Sequence, residues 1–589
     1  MSVECRYDAV IVGAGIAGAL IAKYLTREGF RVCLLEAGAG DAQSLEGYSS
    51  HLRDFLLASS KGPESAWKPS VNAPQPNPAD RTYFVQRGPQ LYGSSYTRLQ
   101  GGSTLHWLGV CLRMLPEDFQ LRTLHGVGRD WPIRYQDVEP YYRKAEYEIG
   151  VSADKAEQAY LGNYFPEDYD YPMHKVPLSY ADKCLADTVD GLEIAVGDVT
   201  RPIKVRSYPA GRNSTPRKGY SPVGAFDVRS DGEIVNLYMG ERCAGNSSCT
   251  PICPIQAKYN AGKTLAQADR SNLKIVTRAV ASKVNFNAAD GTITGISYKR
   301  YDDASIADCE AVGRVYVLAA HAVENAKLML VSGLPNSSGL IGKTLMDHPA
   351  LYVWGKAAKP VGAYRGPLST CGLEEFRQGD FRKQQAAFRF DIGNDGWRAP
   401  AGAPDSTVFD AVVNQKLFGK KLHQYLNAQL PYHVRFSLAV EQLPDASNAV
   451  SIDRSQVDPL GIPRPVIDYK IDEYTQNGWM AARTAARKIF DHARIDDRTA
   501  VIPGAPSVQV SGETISYHGM GHFSGTHAMG DDRSNSVVDD KQGCWDHPNL
   551  YVVGSGSFPT MGTSNPTLTL AALTIRTAEH LIGELRRSL

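Results

Sequence analysis

The chain has 589 residues, and its 63 Lys and Arg are balanced by 63 Asp and Glu, for a formal net charge of zero. Hydrophobic residues make up 43% and charged residues 21%, as in an ordinary globular protein. The charge balance, together with the lack of any dense Lys/Arg run, argues against nucleic-acid binding. At ~100–200 residues per domain, the length predicts two to four domains, or two large interleaved ones. The longest apolar stretches, such as Thr567 to Ile575, stop short of the ~18–20 residues that a membrane span needs. The strand pattern starts at Tyr7, so no signal peptide is expected before it. Collagen, a disordered tail, a membrane channel and a small disulfide scaffold are excluded.

The first predicted elements form one unit. Asp8 to Val12 is a short apolar run suited to a buried parallel strand. Gly13-Ala-Gly15-Ile16-Ala17-Gly18 follows at once, then a helical stripe over Ala19 to Glu28 and a second strand over Phe30 to Leu35, ending at Glu36 and Ala37. In that setting Gly13 allows a tight turn, Gly15 a close approach to a pyrophosphate, and Gly18 close packing of helix on strand. The helix N-terminus faces the phosphates, and Glu36 is placed to accept from ribose hydroxyls. The motif predicts dinucleotide binding without separating FAD from NAD.

Further along, residues 40–95 read as irregular excursions, followed by a glycine-rich segment, Arg98-Leu-Gln-Gly101-Gly102-Ser103-Thr-Leu-His106-Trp107. Residues 150–240 read as irregular cover. Strands are expected at Leu273 to Val276 and Arg314 to Ala319, and a helix over Ala322 to Val331 ended by Gly333. Residues 385–470 alternate apolar and polar, as in Val434 to Val440, the pattern of an antiparallel sheet with one wet face, punctuated by Ile462-Pro-Arg-Pro465. Gln476 to Ile495 reads as a long helix. Leu550 to Val553 reads as a buried strand, followed by a Gly/Ser/Pro turn and a helix from about Asn565 to Leu585.

Ten cysteines are too sparse for a disulfide framework. Three of them cluster as Cys243-x5-Cys249-x3-Cys253. Thiolates suit iron–sulfur clusters or zinc, and no fourth Cys or His lies nearby to complete a structural zinc site.

Several motifs together resemble the glucose–methanol–choline (GMC) oxidoreductase family. These are the Gly13–Glu36 unit, the Gly101-Gly102-Ser103 loop, His522-Phe-Ser-Gly-Thr-His-Ala-Met-Gly530 and Gly562-Thr-Ser-Asn565-Pro566-Thr567, with Asp347-His348-Pro349 between them in matching order. The segment Gly126 to Tyr142 and the cysteine cluster are most similar to FAD-dependent catalytic subunits of bacterial sugar dehydrogenases, of the glucose, fructose, sorbitol or glucoside 3-dehydrogenase type. The C-terminal run is similar to pyranose 2-oxidase. The resemblance implies an α/β fold: a Rossmann-like FAD-binding domain interleaved with an α+β substrate domain that contains a large antiparallel sheet. The FAD-binding domain would comprise 1–60, 95–125, 255–345 and 515–589, the substrate domain 126–240 and 346–514, and the cluster loop 241–254.

The chemistry so implied is oxidation of a sugar, glycoside or sugar-acid hydroxyl. Hydride leaves carbon only when the hydroxyl proton is removed in step, so a base is needed with a partner for the same oxygen. His522 is expected as the base and Asn565 as the partner, with hydride passing to flavin. His518 and His522 have H-x-x-x-H spacing, but Gly519 stands where a zinc protease needs Glu, and Gly519 and Gly521 disfavour the helix. His527 is read as structural, and Asn565 also suits a helix cap. FAD contacts are expected from Gly13, Gly15, Ile16, Ala17, Gly18, Glu36, Ala37, Arg98, Gly101, Gly102, Ser103, His106, Trp107, Val280, Gly554, Ser555, Asn565, Pro566 and Thr567. His106 either carries the flavin covalently, as a similar His does in pyranose 2-oxidase, or hydrogen-bonds near its edge. Many members have Asp-Ala-Ser where this chain has Gly554-Ser555-Gly556, so backbone N–H groups are expected at the pyrophosphate.

By the same resemblance Cys243, Cys249 and Cys253 would hold a [3Fe-4S] cluster that passes electrons to an external acceptor such as a cytochrome c or a quinone. A small helper subunit is implied, and with it either a cytoplasmic chain or one co-exported to the periplasm. Residues 385–442 are expected to line the pocket, with Glu441 or Gln442 touching hydroxyls. The alternatives are an oxygen-using pyranose oxidase, an electron-transfer subunit without substrate chemistry, or an NAD-dependent dehydrogenase.

Overall fold

The computed structural model describes residues 7–58, 66–76, 83–224, 239–245, 249–302, 306–394 and 405–587. Parts of the 40–95, 150–240 and 385–470 spans and of the cluster loop therefore lie outside the described residues.

The elements that position the site are, in chain order, β1 (Tyr7–Val12), α1 (Ile16–Arg27), β2 (Val32–Leu35), β3 (Val205–Ser207) and β4 (Leu273–Val276). They continue with β5 (Ala279–Phe286), β6 (Ile293–Arg300), β7 (Ala307–Ala311), β8 (Gly313–Leu318), α2 (Ala322–Ser332) and β9 (Pro349–Ala357). The rest are β10 (Cys371–Leu373), β11 (Phe388–Gly393), β12 (His433–Val440), α3 (Glu473–His492), β13 (Ile495–Asp497), β14 (His518–Gly519), β15 (Leu550–Val552) and α4 (Pro566–Arg587).

A parallel sheet runs in the order β15-β8-β1-β2-β4, its strands drawn from both ends and the middle of the chain. β1 and β2 are almost wholly buried, as a run of Val, Ile and Leu between helices must be. α1 and α4 pack on each other, and α4 also packs on the helix Tyr135–Ile149. A smaller antiparallel meander, β5-β6-β7, lies beside α2.

The other half is built on an antiparallel sheet in the order β13-β9-β12-β11-β10-β3, with β14 paired to the start of β9. Its side chains alternate as expected, but the polar face is not wet. Leu351, Val353, Phe390, Phe436 and Leu438 pack with Trp479, Ile489 and Phe490 of α3. On the opposite face Arg389, Asp391, Arg435 and Ser437 are also buried, because the parallel-sheet half covers them. Alternation identifies the two faces of a strand but not what lies over the polar one.

Three further readings are corrected. The 40–95 stretch contains a regular helix, Leu45–Leu57, capped by Ser44 accepting from the Gly47 N–H at 3.0 Å. Within 150–240 the helix Tyr180–Val189 and the hairpin Glu193–Val196 with Val199–Pro202 are formed. Pro463 and Pro465 sit inside a strand, Pro463–Asp468, that pairs with Ala449–Val457. Among the described residues no helix is long and apolar enough to cross a membrane.

The glycine turn after β1 is sterically closed at two positions and open at the third. A Cβ on Gly13, at φ 102°, would stand 2.6 Å from the Ala319 carbonyl, and one on Gly18 would stand 1.9 Å from the Gly13 carbonyl. A Cβ on Gly15 would meet nothing within 4 Å. Gly18→Ala is therefore expected to cost about 1–3 kcal/mol through forced separation of α1 from β1. Thermal unfolding and the flavin content of the purified variant measure this; an unchanged midpoint with full flavin would contradict it.

Candidate active site

One cavity of about 400 Å³ is lined both by the glycine turn and by the C-terminal segments. Gly13, Gly15, Ile16, Ala17, Glu36, Ala37, Arg98, Gly102, Ser103, His106, Trp107 and Val280 line it together with His522, Gly554, Ser555, Asn565, Pro566 and Thr567. Gly18 and Gly101 stand behind this wall. Gly18 holds helix to strand, and Gly101 donates to the Ala14 carbonyl at 3.0 Å.

The dinucleotide end is preorganised for anions. α1 starts at the cavity wall with no side-chain cap and no acidic residue in its first turn, so its N–H groups and dipole are available. Glu36 is buried and accepts from the Ala14 and Gly38 N–H groups, each at 2.8 Å. Burial raises its carboxyl above the usual range against those two bonds. Arg98 is buried with Nη1 lacking a hydrogen-bond partner among the described residues. Gly554 has open space where a side chain would stand, whereas a Cβ on Gly556 would lie 2.0 Å from the His527 ring. His527 thus fills the turn that Gly556 vacates. These features fit a flavin dinucleotide: an acceptor for ribose, free backbone donors and a cation for phosphates, and two glycines that leave the cradle unfilled. His106 Nδ1 lies 2.6 Å from Thr97 Oγ1, and burial, then Lys258, lowers its pKa to about 4.

At the other group of residues, strand pairing assembles the chemistry. β14 pairs with β9 at Pro349 and Ala350, which brings the Asp347-His348 corner against His522. Asp347 Oδ1 accepts from the His348 N–H at 2.7 Å and the His522 N–H at 3.0 Å. Burial pushes that carboxyl up to about 6 despite these bonds and one from Ser94. Asn565 stands immediately before α4. Its side chain does not cap the helix. It reaches across to His522 Nε2 at 3.2 Å and, through Oδ1, accepts from Arg389 Nη2 at 3.0 Å.

The direction of every proton in this chain can be assigned from the network. The Gly562 carbonyl can only accept, so His348 Nε2–H donates to it at 2.8 Å. Burial lowers His348 to about 3, so the ring is neutral and its Nδ1 is bare. That nitrogen accepts from His522 Nδ1–H at 2.7 Å. Burial, and then the neighbouring His348 and Arg389, hold His522 well below the ordinary His value, so this ring too is neutral. Its Nε2 is therefore the bare nitrogen. Arg389 occupies the Asn565 oxygen, which turns the Asn565 amide N–H toward that nitrogen.

The floor of this cavity draws on the 385–442 span, as expected, and on two residues outside it, Tyr352 and His518. Tyr352, Asp391, Arg435, Ser437 and His518 line it. The Tyr352 ring stacks on the His518 imidazole at 3.8 Å, and the Arg435 guanidinium lies 4.7 Å from its centre. Glu441 and Gln442 do not line it. Glu441 is buried against Arg382, which also pairs with Asp118, and Gln442 accepts from the Asp347 N–H and the Tyr469 hydroxyl. Only a three-dimensional neighbour, Arg382, reveals that the Glu441 carboxylate is already used.

Cys243, Cys249 and Cys253 are all buried, and none of the described cysteines forms a disulfide. Burial raises the Cys243 thiol, Arg212 opposes this, and the nearby Cys249 and Cys253 raise it further. Lys258 and Lys263 are buried beside them, each lowered to about 8 by burial. Among the described residues no group of three or more Cys, His, Asp or Glu is arranged to hold a single metal ion. Thr250, between two of the cysteines, lines the cavity.

Family models described as GMC oxidoreductase match residues 193–350 and 444–574, and one described as FAD dependent oxidoreductase matches 8–94. The chain is 30% identical over 98% of its length to the fructose dehydrogenase large subunit of Gluconobacter japonicus, covering 98% of that protein. It is 25% identical to 2-methyl-1,2-propanediol dehydrogenase of Mycolicibacterium austroafricanum and 22% identical to the gluconate 2-dehydrogenase flavoprotein of Pantoea cypripedii. Each match covers 98% of this chain, with 95% and 93% of the relatives covered. The pyridoxine 4-oxidase structure from Mesorbium loti shares the fold, with a TM-score of 0.60 at 18% identity over 98% of this chain and 99% of that one. The chain belongs to the GMC oxidoreductase family. It is an FAD-dependent oxidoreductase acting on CH–OH groups.

The proton assignment yields a test. His348→Leu removes the acceptor that fixes the His522 tautomer, whereas Gln can still accept from His522 and donate to Gly562. Turnover is expected to fall at least about 10²-fold in His348→Leu and to recover largely in His348→Gln. Equal loss in both variants would show that the ring merely packs.

Proposed function

We propose that this chain is a sugar dehydrogenase that oxidises a hydroxyl of a sugar, glycoside or sugar acid. One observation carries the reading: His522 and Asn565, 43 residues apart, meet 3.2 Å from each other on the wall of a cavity that also contains the dinucleotide turn. The flavin, when bound, supplies the hydride acceptor. His522 Nε2 takes the hydroxyl proton, and the Asn565 amide N–H holds the same oxygen as negative charge develops on it. Arg389 favours that negative charge and opposes the positive charge on the His522 ring. His348 keeps the receiving nitrogen bare, and the buried sheet face excludes water. The sugar class is supported by the relatives named for fructose and gluconate.

The glycine turn, Glu36, Arg98, the 101–107 loop and the 554–567 segment would hold the flavin. Segments 1–60, 95–125, 255–345 and 515–589 are assigned to that unit, and 126–240 and 346–514 to the substrate unit. Cys243, Cys249 and Cys253, in the 241–254 loop, would hold a [3Fe-4S] cluster. When bound, the cluster supplies an electron path to an external acceptor such as a cytochrome c or a quinone. Three buried cysteines, two buried lysines beside them and Thr250 in the cavity wall support this placement. A helper or acceptor subunit fits a relative named as a large subunit.

His522→Ala is expected to lower kcat by about 10²–10⁴-fold with flavin content unchanged. Because burial, and then the neighbouring His348 and Arg389, lower the His522 pKa, the ring is already the base at neutral pH. The kcat/KM profile is expected to be flat there and to fall only on the acid side of the ordinary His value of 6.5. A limb rising through neutrality would contradict the assignment.

Cys249→Ser should abolish the electron paramagnetic signal of an oxidised three-iron cluster. Substrate should still bleach the flavin, but reduction of a cytochrome c should slow at least about 10-fold. Wild-type protein without iron would refute the cluster and leave the flavin chemistry standing.

A further inference from the structure

The floor of the cavity carries polar groups that the proton relay does not use. Cross-strand register sets Tyr352 of β9 opposite Ser437 of β12, and Ser437 opposite Asp391 of β11. Directly opposite residues on neighbouring strands share a face, so a phenol, a hydroxyl and a carboxylate form one row, and all three line the cavity. The next residues along β12, Phe436 and Leu438, point into the apolar core beneath.

Two features of this row point to a ligand. Ser437 is 6% exposed, and its Oγ has no hydrogen-bond partner among the described residues. A buried hydroxyl facing a cavity without a partner calls for one from outside the chain. Asp391 is tied to the reacting centre by one side chain: Arg389 Nη1 bonds Asp391 Oδ1, while Arg389 Nη2 donates to Asn565 Oδ1 at 3.0 Å. The carboxylate therefore lies one guanidinium width from the carboxamide that meets His522. An ionised carboxylate only accepts, so its complement across the cavity is an O–H donor.

We propose that Ser437 and Asp391 form a subsite for a second substrate hydroxyl, on the carbon adjacent to the one oxidised. The subsite would make the enzyme selective for vicinal diols over monohydric alcohols. This rests on the reading of the cavity as a site for CH–OH oxidation by His522 and Asn565. In it, the neighbouring hydroxyl donates to Asp391 and accepts from the Ser437 O–H, and Arg389 holds the carboxylate and the carboxamide in fixed relation.

The test uses flavin-loaded wild-type protein, Ser437→Ala and Asp391→Asn with an artificial dye. The paired alcohols are glucose against 2-deoxyglucose, and propane-1,2-diol against propan-2-ol. In the first pair the missing hydroxyl neighbours both C1 and C3. Wild type is expected to prefer the vicinal member of each pair it oxidises by at least about 10-fold in kcat/KM. Ser437→Ala, which removes only one oxygen, should shrink that ratio several-fold, mainly through KM, and Asp391→Asn should shrink it further. Wild-type indifference to the neighbouring hydroxyl would overturn the subsite. So would a ratio unchanged in Ser437→Ala, or equal losses on both pair members in both variants, since those report support of Arg389 rather than substrate contact. If flavin-loaded wild type oxidises none of these alcohols nor any sugar or polyol in a wider panel, the proposed function fails and the subsite with it.

Discussion

A bare imidazole nitrogen must be kept bare if it is to take a proton, and in a buried site nothing but hydrogen-bond direction can ensure it. The Gly562 carbonyl sets that direction. Because it cannot donate, it orients His348, and His348 in turn orients His522. Asn565 is oriented independently from the other side by Arg389. Two chains of unequal chemistry, one neutral and one cationic, thus converge on a pair of atoms 3.2 Å apart. In the proposed reaction the neutral chain would define where the proton goes, and the cationic chain would favour negative charge on oxygen. Neither depends on a side chain being left ionised without a partner, which a buried site tolerates poorly.

The same buried arginines also hold the two halves of the molecule together. Arg377 donates to Thr563 and Ser564 and to the Arg113 carbonyl, and Arg389 donates to the Thr563 carbonyl at 2.8 Å. Both residues belong to the sheet half, whereas the 563–565 turn leads into α4. Arg382 ties the same region to Asp118 and Glu441. Breaking one such buried ion pair typically costs about 3–5 kcal/mol, against ~0–1 kcal/mol for a surface pair. The geometry of the site is consequently coupled to the packing between halves rather than to local loop structure.

What was legible in the sequence follows from how local each feature is. The dinucleotide turn occupies six consecutive residues between a strand and a helix, so spacing alone reveals it. His522 and Asn565 are far apart in the chain and were singled out through the resemblance of their flanking motifs. The 385–442 span was expected at the pocket, but the row Tyr352–Ser437–Asp391 could not be singled out within it, because it exists only through the register of three strands drawn from separate segments. The role of His348 was invisible for a related reason: its neighbour Pro349 begins β9, and only the pairing of β9 with β14 brings the ring to His522. Alternation in β12 correctly separated two faces, yet the face taken as wet is buried under the other half. Glu441 was misread because a carboxylate in a strand gives no sign of its partner, Arg382, which is 59 residues away.

The order of the parallel sheet has a consequence for folding. β15, residues 550–552, is an edge strand of that sheet beside β8, and α4, which packs on α1, ends at Arg587. β1 is therefore flanked by a strand from the middle of the sequence, β8, and α1 is covered by the 566–587 helix, α4. Such long-range closure is slow, and the exposed surfaces are open to misassembly in the interval. Loss of α4 would strip the apolar side of α1 of its cover, so the dinucleotide turn depends on a segment that contributes nothing to it locally.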